Sequence, residues 1–287
     1  MTYTERETQH LEMLNQYDFF STPPDKEFLS LTTNGFKNAS ELTVDHSIAF
    51  QPIVNTSNKS VFGYEALVRG INNEGADFVL SQLNDSNRFQ FDQATKIKAI
   101  QLAKKLSLQG MLSINISPNS VYKPEVCIPK TLEIASKLDF PTNRIMFEVT
   151  EKEKITDNSL LCEIFTECKK HFITTAIDDF GAGYAGLNLL ADWQPDFIKL
   201  DMFLTRNIHS DKIRRILVMG IISICKELDI EIIAEGIETK DEYLTLADMG
   251  INLFQGFMFA RPGFESLPVV SKEVWPLIKT RRVKDRR

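Results

Sequence analysis

No apolar run in this chain approaches the roughly 20 residues of a membrane-crossing helix, which sets a spanning helix aside. Cysteine is scarce. Its four positions, Cys127, Cys162, Cys168 and Cys225, show no zinc or redox spacing, so reduced and mostly buried thiols are expected. Positive charge is in deficit, with 33 Lys and Arg against 39 Asp and Glu and a net charge of −6. That argues against a broad electrostatic grip on a nucleic-acid polymer. The opening residues Met1-Thr2-Tyr3-Thr4-Glu5-Arg6-Glu7 are polar and acidic, unlike a secretory leader, and a cytoplasmic protein is expected. Low-complexity tracts and repeats of solenoid length are absent. The basic tail Lys279–Arg287 reads as a solvated end.

The apolar fraction of 43% over 287 residues is enough for a sizeable core. Six segments share one design: a short strand-like run that closes on a residue able to bind a metal or move a proton. Leu112-Ser113-Ile114 closes on Asn115, Arg144-Ile145-Met146-Phe147 on Glu148, and Ile173-Thr174-Thr175-Ala176-Ile177 on Asp178-Asp179. Phe197-Ile198 closes on Lys199, Glu231-Ile232-Ile233-Ala234 on Glu235, and Leu253-Phe254 on Gln255. Helical patterns precede and separate these runs, Asp92 to Leu106 ahead of the first and, between later ones, Asp211 to Leu228 and Asp241 to Met249 ahead of Gly250. Strands alternating with helices predict a parallel sheet. Polar residues at many carboxyl ends predict an α/β barrel of the (β/α)8 type with its site on the top face.

The start of the pattern departs from a plain barrel. Ile48 to Val54 and Val61 to Val68 read as strands joined by the short polar turn Thr56-Ser57-Asn58-Lys59. A hairpin follows, so the first strand should run antiparallel. Residues 1–44 read as a short helical N-terminal extension, too small for an ordinary independent domain. Residues 45–265 read as the barrel, and 266–287 as a C-terminal helix and basic tail.

On one barrel rim Glu65, Asn115, Glu148, Asp178 and Asp179 would offer one neutral and four anionic oxygen ligands. Hard oxygen donors suit Mg²⁺ or Mn²⁺, and no histidine stands at these strand ends to favour zinc. Adjacent Asp178 and Asp179 cannot both face inward on a continuing strand. At a strand end the backbone turns, and both can reach one cluster. Two ions about 3.5–4 Å apart form a site suited to in-line attack on a phosphodiester. Lys199 can hold a water or a phosphate oxygen, and Glu235 can be a ligand or a general base; the residues alone leave that choice open. Gly181-Ala182-Gly183 permits a tight, mobile loop beside the metals.

These residues resemble the EAL domains, the cyclic-di-GMP phosphodiesterases. The likeness spans roughly residues 47–265. It runs through Phe50-Gln51-Pro52-Ile53, Tyr64-Glu65-Ala66-Leu67-Val68-Arg69, Asn115-Ile116-Ser117 and Glu148-Val149-Thr150-Glu151. It continues through Asp178-Asp179-Phe180-Gly181-Ala182-Gly183-Tyr184, Lys199-Leu200-Asp201, Glu235-Gly236-Ile237-Glu238 and Gln255-Gly256-Phe257. The resemblance implies a modified TIM barrel with an antiparallel first strand. It implies hydrolysis of cyclic-di-GMP to linear pGpG with two Mg²⁺ or Mn²⁺ ions, with Ca²⁺ inhibitory, in a homodimer. Carried over by motif, Glu65, Asn115, Glu148 and Asp178 take the first ion; Asp178, Asp179 and Glu235 take the second. Lys199 would hold the attacking water, and Glu151 would anchor the Gly181–Tyr184 loop. Gln51 and Arg69 would contact the nucleotide, Gln255 would sit near the metal-bound waters, and Asp201 and Glu238 would act as supports behind the ligands.

Departures are small: Gly70 after Arg69, Ala182 in the loop, and Ala185-Gly186 where serines are common. They resemble the variant fused to blue-light-sensing BLUF domains, but residues 1–44 are too short for such a sensor, so light control is not implied. A catalytically silent module that binds cyclic-di-GMP or a protein partner is the competing expectation. Action on a different cyclic or linear nucleotide is a third.

Overall fold

The first strand is the one that sets the ring's geometry. In the computed structural model, which describes residues 44–84, 87–121, 123–150, 158–183 and 186–278, β1 (His46–Asn55) and β2 (Ser60–Gly70) pair antiparallel along their whole length, with Ile48 opposite Val68 and Gln51 opposite Glu65. The turn between them is pinned by Asn55, whose side-chain oxygen accepts the Ser57 amide at 3.0 Å. From β2 onward β3 (Met111–Ile116), β4 (Ile145–Thr150), β5 (Thr174–Phe180), β6 (Phe197–Leu200), β7 (Glu231–Ala234) and β8 (Leu253–Phe254) pair parallel in sequence order. Val54 then pairs with Phe254, and β1 closes the ring antiparallel to β8. The expected barrel with a reversed first strand is the observed one.

A ninth strand of two residues, β9 (Gly263–Phe264), was not anticipated. It pairs with Ala49 and Phe50 beyond the point where β8 stops. Between these two pairings, Gln51 to Ile53 have only β2 as a neighbour. Pro52 lies in that gap, where a residue without an N–H is tolerated.

The helices are α1 (Ala76–Leu80), α2 (Arg88–Lys105), α3 (Pro124–Lys137), α4 (Asn158–Lys170), α5 (Gly186–Asp192), α6 (Met202–Thr205), α7 (Lys212–Glu227) and α8 (Lys240–Met249). Helix α2 begins a turn before the expected Asp92. Helix α7 is capped by Asp211, whose carboxylate accepts the amides of Ile213 and Arg214 at 2.9 and 3.0 Å. Helix α8 starts with a capping box between Thr239 and Glu242 and ends at Gly250, as its periodicity predicts. Among the described residues no helix is long and apolar enough to cross a membrane. The helices expected within residues 1–44, Glu151 and the tail 279–287 lie outside the described residues. Residues 266–278 carry a three-residue 3₁₀ turn, Trp275–Leu277, where part of a C-terminal helix was expected.

Two of the apolar clusters among the described residues position the site. The larger lies between the strands and the helices and includes Val149, Ile177, Ile198, Leu200, Phe165, Tyr243 and Phe254. The smaller is made of Ile53, Met146, Ala176, Ile233 and Leu253, with Met111 and Phe197 packed against it. The smaller one lines the inside of the ring. Side chains alternate along a strand, so the residue two further toward the top shares that inward face. Met111 leads to Ser113, Met146 to Glu148, Ala176 to Asp178, Phe197 to Lys199, Ile233 to Glu235 and Leu253 to Gln255. On the reversed strand Ile53 leads back to Gln51. An apolar floor thus lies directly beneath a polar layer, and strand periodicity puts it there.

Candidate active site

The polar layer is centred on Lys199, a fully buried ammonium at the end of β6. Its Nζ lies 2.7 Å from Glu235 Oε1, 2.9 Å from Glu148 Oε2, 3.0 Å from Asp178 Oδ1 and 3.3 Å from Glu65 Oε2. Burial works against its charge, but the four carboxylates together hold its pKa well above the ordinary lysine value. One cation cannot satisfy four acids. Burial, with Glu65 and Asp178 adding to it, pushes Glu148 up to about 8 even though Lys199 and the Ser113 hydroxyl pull it down. Burial and then Asp178 raise Glu235 well above the usual range against the same lysine.

Further side chains aim the carboxylates. Glu65 Oε1 accepts from Asn115 Nδ2 at 3.0 Å, and Glu65 Oε2 accepts from Gln255 Nε2 at 2.7 Å. The same Gln255 nitrogen reaches Gln51 Oε1 at 3.2 Å, and Gln51 donates to the Ala260 carbonyl at 3.2 Å. Ser113 Oγ donates to Glu148 Oε1, and Thr150 Oγ1 donates to Asp179 Oδ2 at 3.2 Å. Exposure rises toward the mouth: Glu148 and Lys199 are sealed, Asp178 and Glu235 are partly open, and Asn115 is exposed.

The aspartate pair is handled differently from the expectation. Strand β5 does not stop at Asp178 but runs on to Phe180. Both acids face the cluster because the pairing of β5 with β6 shifts between Ile177 and Phe180. Asp179 there takes a left-handed conformation, φ +56. A bulge thus replaces the strand end, and the left-handed residue is a locally costly conformation held at the site.

The donor atoms form two groups, each with its ligand oxygens within 4.8 Å of one another: Glu65, Glu148 and Asp178, and then Asp178, Asp179 and Glu235. Asp178 belongs to both. With all five carboxylates ionised, as cation binding would require of Glu148 and Glu235, the one ammonium leaves four negative charges, equal to the charge of two divalent cations. Asp178 Oδ1 lies close to Lys199 but off any hydrogen-bond direction, so it is a buried oxygen with no hydrogen-bond partner, as is Gln255 Oε1. These observations fit a pair of hard divalent cations.

The remaining expected residues are placed as follows. Arg69, next to the end of β2, is half-buried and donates to the Val68 carbonyl at 2.7 Å. Burial lowers its pKa while Glu65 opposes the shift. Asp201 is buried and caps α6, accepting the Phe203 amide at 2.7 Å. Glu238 is exposed and pairs with Arg206 at 2.9 Å rather than with a member of the cluster. Glu151 and Tyr184 lie outside the described residues. Ser113, Thr150 and Thr205 were not singled out from sequence. Ser113 could have been, since it shares a strand face with Asn115 two residues on.

The EAL domain family profile matches residues 41–262. The chain belongs to the EAL domain family. A standalone EAL protein from Vibrio cholerae, solved in its c-di-GMP-bound form, is 50% identical, with a TM-score of 0.78 over 81% of this chain and 98% of that one. Klebsiella pneumoniae BlrP1, solved with manganese and cyclic-di-GMP, is 30% identical, with a TM-score of 0.73 over 88% of this chain and 71% of that one. The blue light- and temperature-regulated antirepressor BluF of Escherichia coli is 30% identical over 96% of this chain and 70% of its own length. Of other curated relatives, several named cyclic di-GMP phosphodiesterases, the chain spans only 22% to 44%.

Proposed function

We propose that this chain hydrolyses one phosphodiester bond of cyclic-di-GMP to linear pGpG, and so takes part in bacterial second-messenger signalling. The observation that carries the reading is the pair of acidic triads sharing Asp178 around a buried lysine. Likeness to a structure that holds c-di-GMP supports the choice of substrate.

Glu65, Asn115, Glu148 and Asp178 would hold a first Mg²⁺ or Mn²⁺, and Asp178, Asp179 and Glu235 a second. When bound, the two ions would polarise a phosphoryl oxygen and make a water acidic enough to lose its proton near neutral pH. The protein's own part is positional and electrostatic. Lys199, kept charged by its carboxylates, orients the attacking water in line with the leaving 3′-oxygen. Glu235 or Lys199 is placed to take part in the proton transfer. Gln51 and Arg69 bind the nucleotide, Arg69 with a planar fork suited to phosphate, and Gln255 orders water beside Glu65. Asp201 supports the site by capping α6, Glu238 through Arg206, and Glu151 by anchoring the Gly181–Tyr184 loop. Ca²⁺, with looser geometry and higher coordination, would bind and inhibit. The reading extends to a homodimer acting in the cytoplasm.

A second reading has its own support. The E. coli relative that matches 96% of this chain is named an antirepressor, which favours a module that signals by contact with a protein. One experiment separates the two: incubate the purified chain with cyclic-di-GMP and Mn²⁺ or Mg²⁺, with and without chelator, and resolve the nucleotides by chromatography. Metal-dependent appearance of pGpG would establish hydrolysis. Tight binding with no product under either ion would refute it in favour of the silent module. Neither binding nor product would remove cyclic-di-GMP as the ligand.

A further inference from the structure

We propose that Thr205 is a positioning residue for Glu235, an inference that rests on the assignment of Glu235 to the second cation. The main chain of Glu235 is held at three points. Its amide donates to the Leu200 carbonyl at 3.1 Å, and its carbonyl accepts from Thr205 Oγ1 at 2.7 Å. The next residue, Gly236, takes φ +66 so close to α6 that an added Cβ would stand 2.6 Å from Met202 Cβ. Two of these three contacts come from α6, a single helical turn.

A threonine inside a helix usually turns its hydroxyl back to a carbonyl of its own preceding turn. Here that alternative is the Met202 carbonyl at 3.5 Å, well beyond the 2.7 Å to Glu235. The shorter bond runs from α6 to the residue that follows β7, and Thr205 has no exposed surface. The hydroxyl is therefore committed to the Glu235 backbone and does not serve its own helix. The turn that carries it is itself fixed by the Asp201 cap. It also touches the other ligand-bearing loop, since a Cβ on Gly181, two residues past Asp179, would meet Leu204 Cδ1 at 2.4 Å. Glu235 follows Ala234, the last residue of β7, and beyond the hydrogen bond from its amide to Leu200 it lies outside the strand ladder. Remove the hydroxyl and the Glu235 carbonyl loses its partner, freeing the Glu235 backbone to rotate away from Asp178 and Asp179.

Groups behind metal ligands typically change metal affinity by 10–100-fold when they are lost. The test titrates the full chain with Mn²⁺ and follows thermal melting, with cyclic-di-GMP hydrolysis as a second readout. T205V, which keeps shape and loses the hydroxyl, should need about tenfold more Mn²⁺ for half of the thermal shift. T205S, which keeps the hydroxyl, should stay within about twofold of the wild type. A purely structural role would lower the melting temperature of T205V and leave the Mn²⁺ midpoint where it was, and that result would overturn the proposal. Should T205V fail to fold, T205A against T205S makes the same comparison, since both lack the methyl and only one lacks the hydroxyl. A wild-type chain that shows no shift with Mn²⁺ would overturn the metal reading itself, and with it the role given to Thr205.

Discussion

Lys199 Nζ and Glu235 Oε1 are 2.7 Å apart at the centre of the ring, the shortest of four contacts between that ammonium and a carboxylate. Breaking a buried ion pair from one side is strongly destabilising, by about 3–5 kcal/mol, because it leaves the other charges unpaired. Lys199→Met should therefore lower the melting temperature of the metal-free protein. Saturating Mg²⁺ should recover most of the loss, since the ions neutralise the same carboxylates. Turnover should stay near zero in both states if the ammonium aims the attacking water. Calorimetric melts with chelator and with Mg²⁺ read the first part, and a metal-free melt unchanged from wild type would sink it.

The raised Glu148 ties the stability of the metal-free protein to pH. Its folded-state pKa is about 8, against an ordinary value of 4.5 for the unfolded chain. Between those values the metal-free folded state holds a proton that the unfolded state has released. The stability tied to that proton is fully present below pH 4.5 and is lost as pH rises through about 8. A cation must displace the proton, so its affinity moves the opposite way. The gap between melting temperatures with Mg²⁺ and with chelator should widen from pH 6 to about pH 8 and level off by pH 9. A constant gap over that range would mean Glu148 is already ionised in the metal-free fold.

Thiol chemistry offers an independent check on the outer core. Cys127, Cys168 and Cys225 are buried, and burial pushes Cys168 up to about 12 and Cys225 up to about 11. Only Cys162 is partly exposed. Because the thiolate is the reactive form, an aromatic disulfide reagent at pH 8 should label one thiol per chain quickly in the native protein. It should label all four after denaturation. Fast labelling of two or more native thiols would contradict this packing of α3, α4 and α7.

The hairpin and the reversed first strand were legible because both depend on local pattern: a short polar turn between two apolar runs. The ligand-bearing strands were legible for the same reason, with a period of two and a polar residue where the run stops. What was hidden depends on contacts between segments far apart in sequence. The left-handed Asp179, which lets two adjacent acids face one cluster from within β5, has no mark in the letters Ile177-Asp178-Asp179-Phe180. Thr205 sits in Met202-Phe203-Leu204-Thr205, four letters too few to carry a periodicity, and its bond to Glu235 spans 30 positions. Glu238 shows the converse. Its motif places it beside the site, but motif spacing does not give side-chain direction, and here the exposed side chain pairs with the partly buried Arg206 rather than with the carboxylate cluster. Strand β9 escaped notice because two residues carry no periodicity.

Gly63 tests whether close contact between β2 and β3 sets the position of Glu65. The two strands pair with Gly63 opposite Met111 and Glu65 opposite Ser113. A Cβ on Gly63 would lie 2.4 Å from the Met111 carbonyl oxygen and 2.8 Å from Met111 Cβ. The first is backbone, which cannot swing aside as the end of a flexible side chain could. Gly63→Ala must then push β2 outward or shift its register against β3, at a cost of about 1–3 kcal/mol typical of overpacking. Glu65 stands two residues further along the same face, so it moves with the strand. The expected result is a lower melting temperature together with weaker Mn²⁺ binding, measured on one sample by melts at increasing Mn²⁺. A lower melting temperature with unchanged Mn²⁺ affinity would show that Glu65 is located by Asn115 and Gln255 rather than by the spacing of the strands.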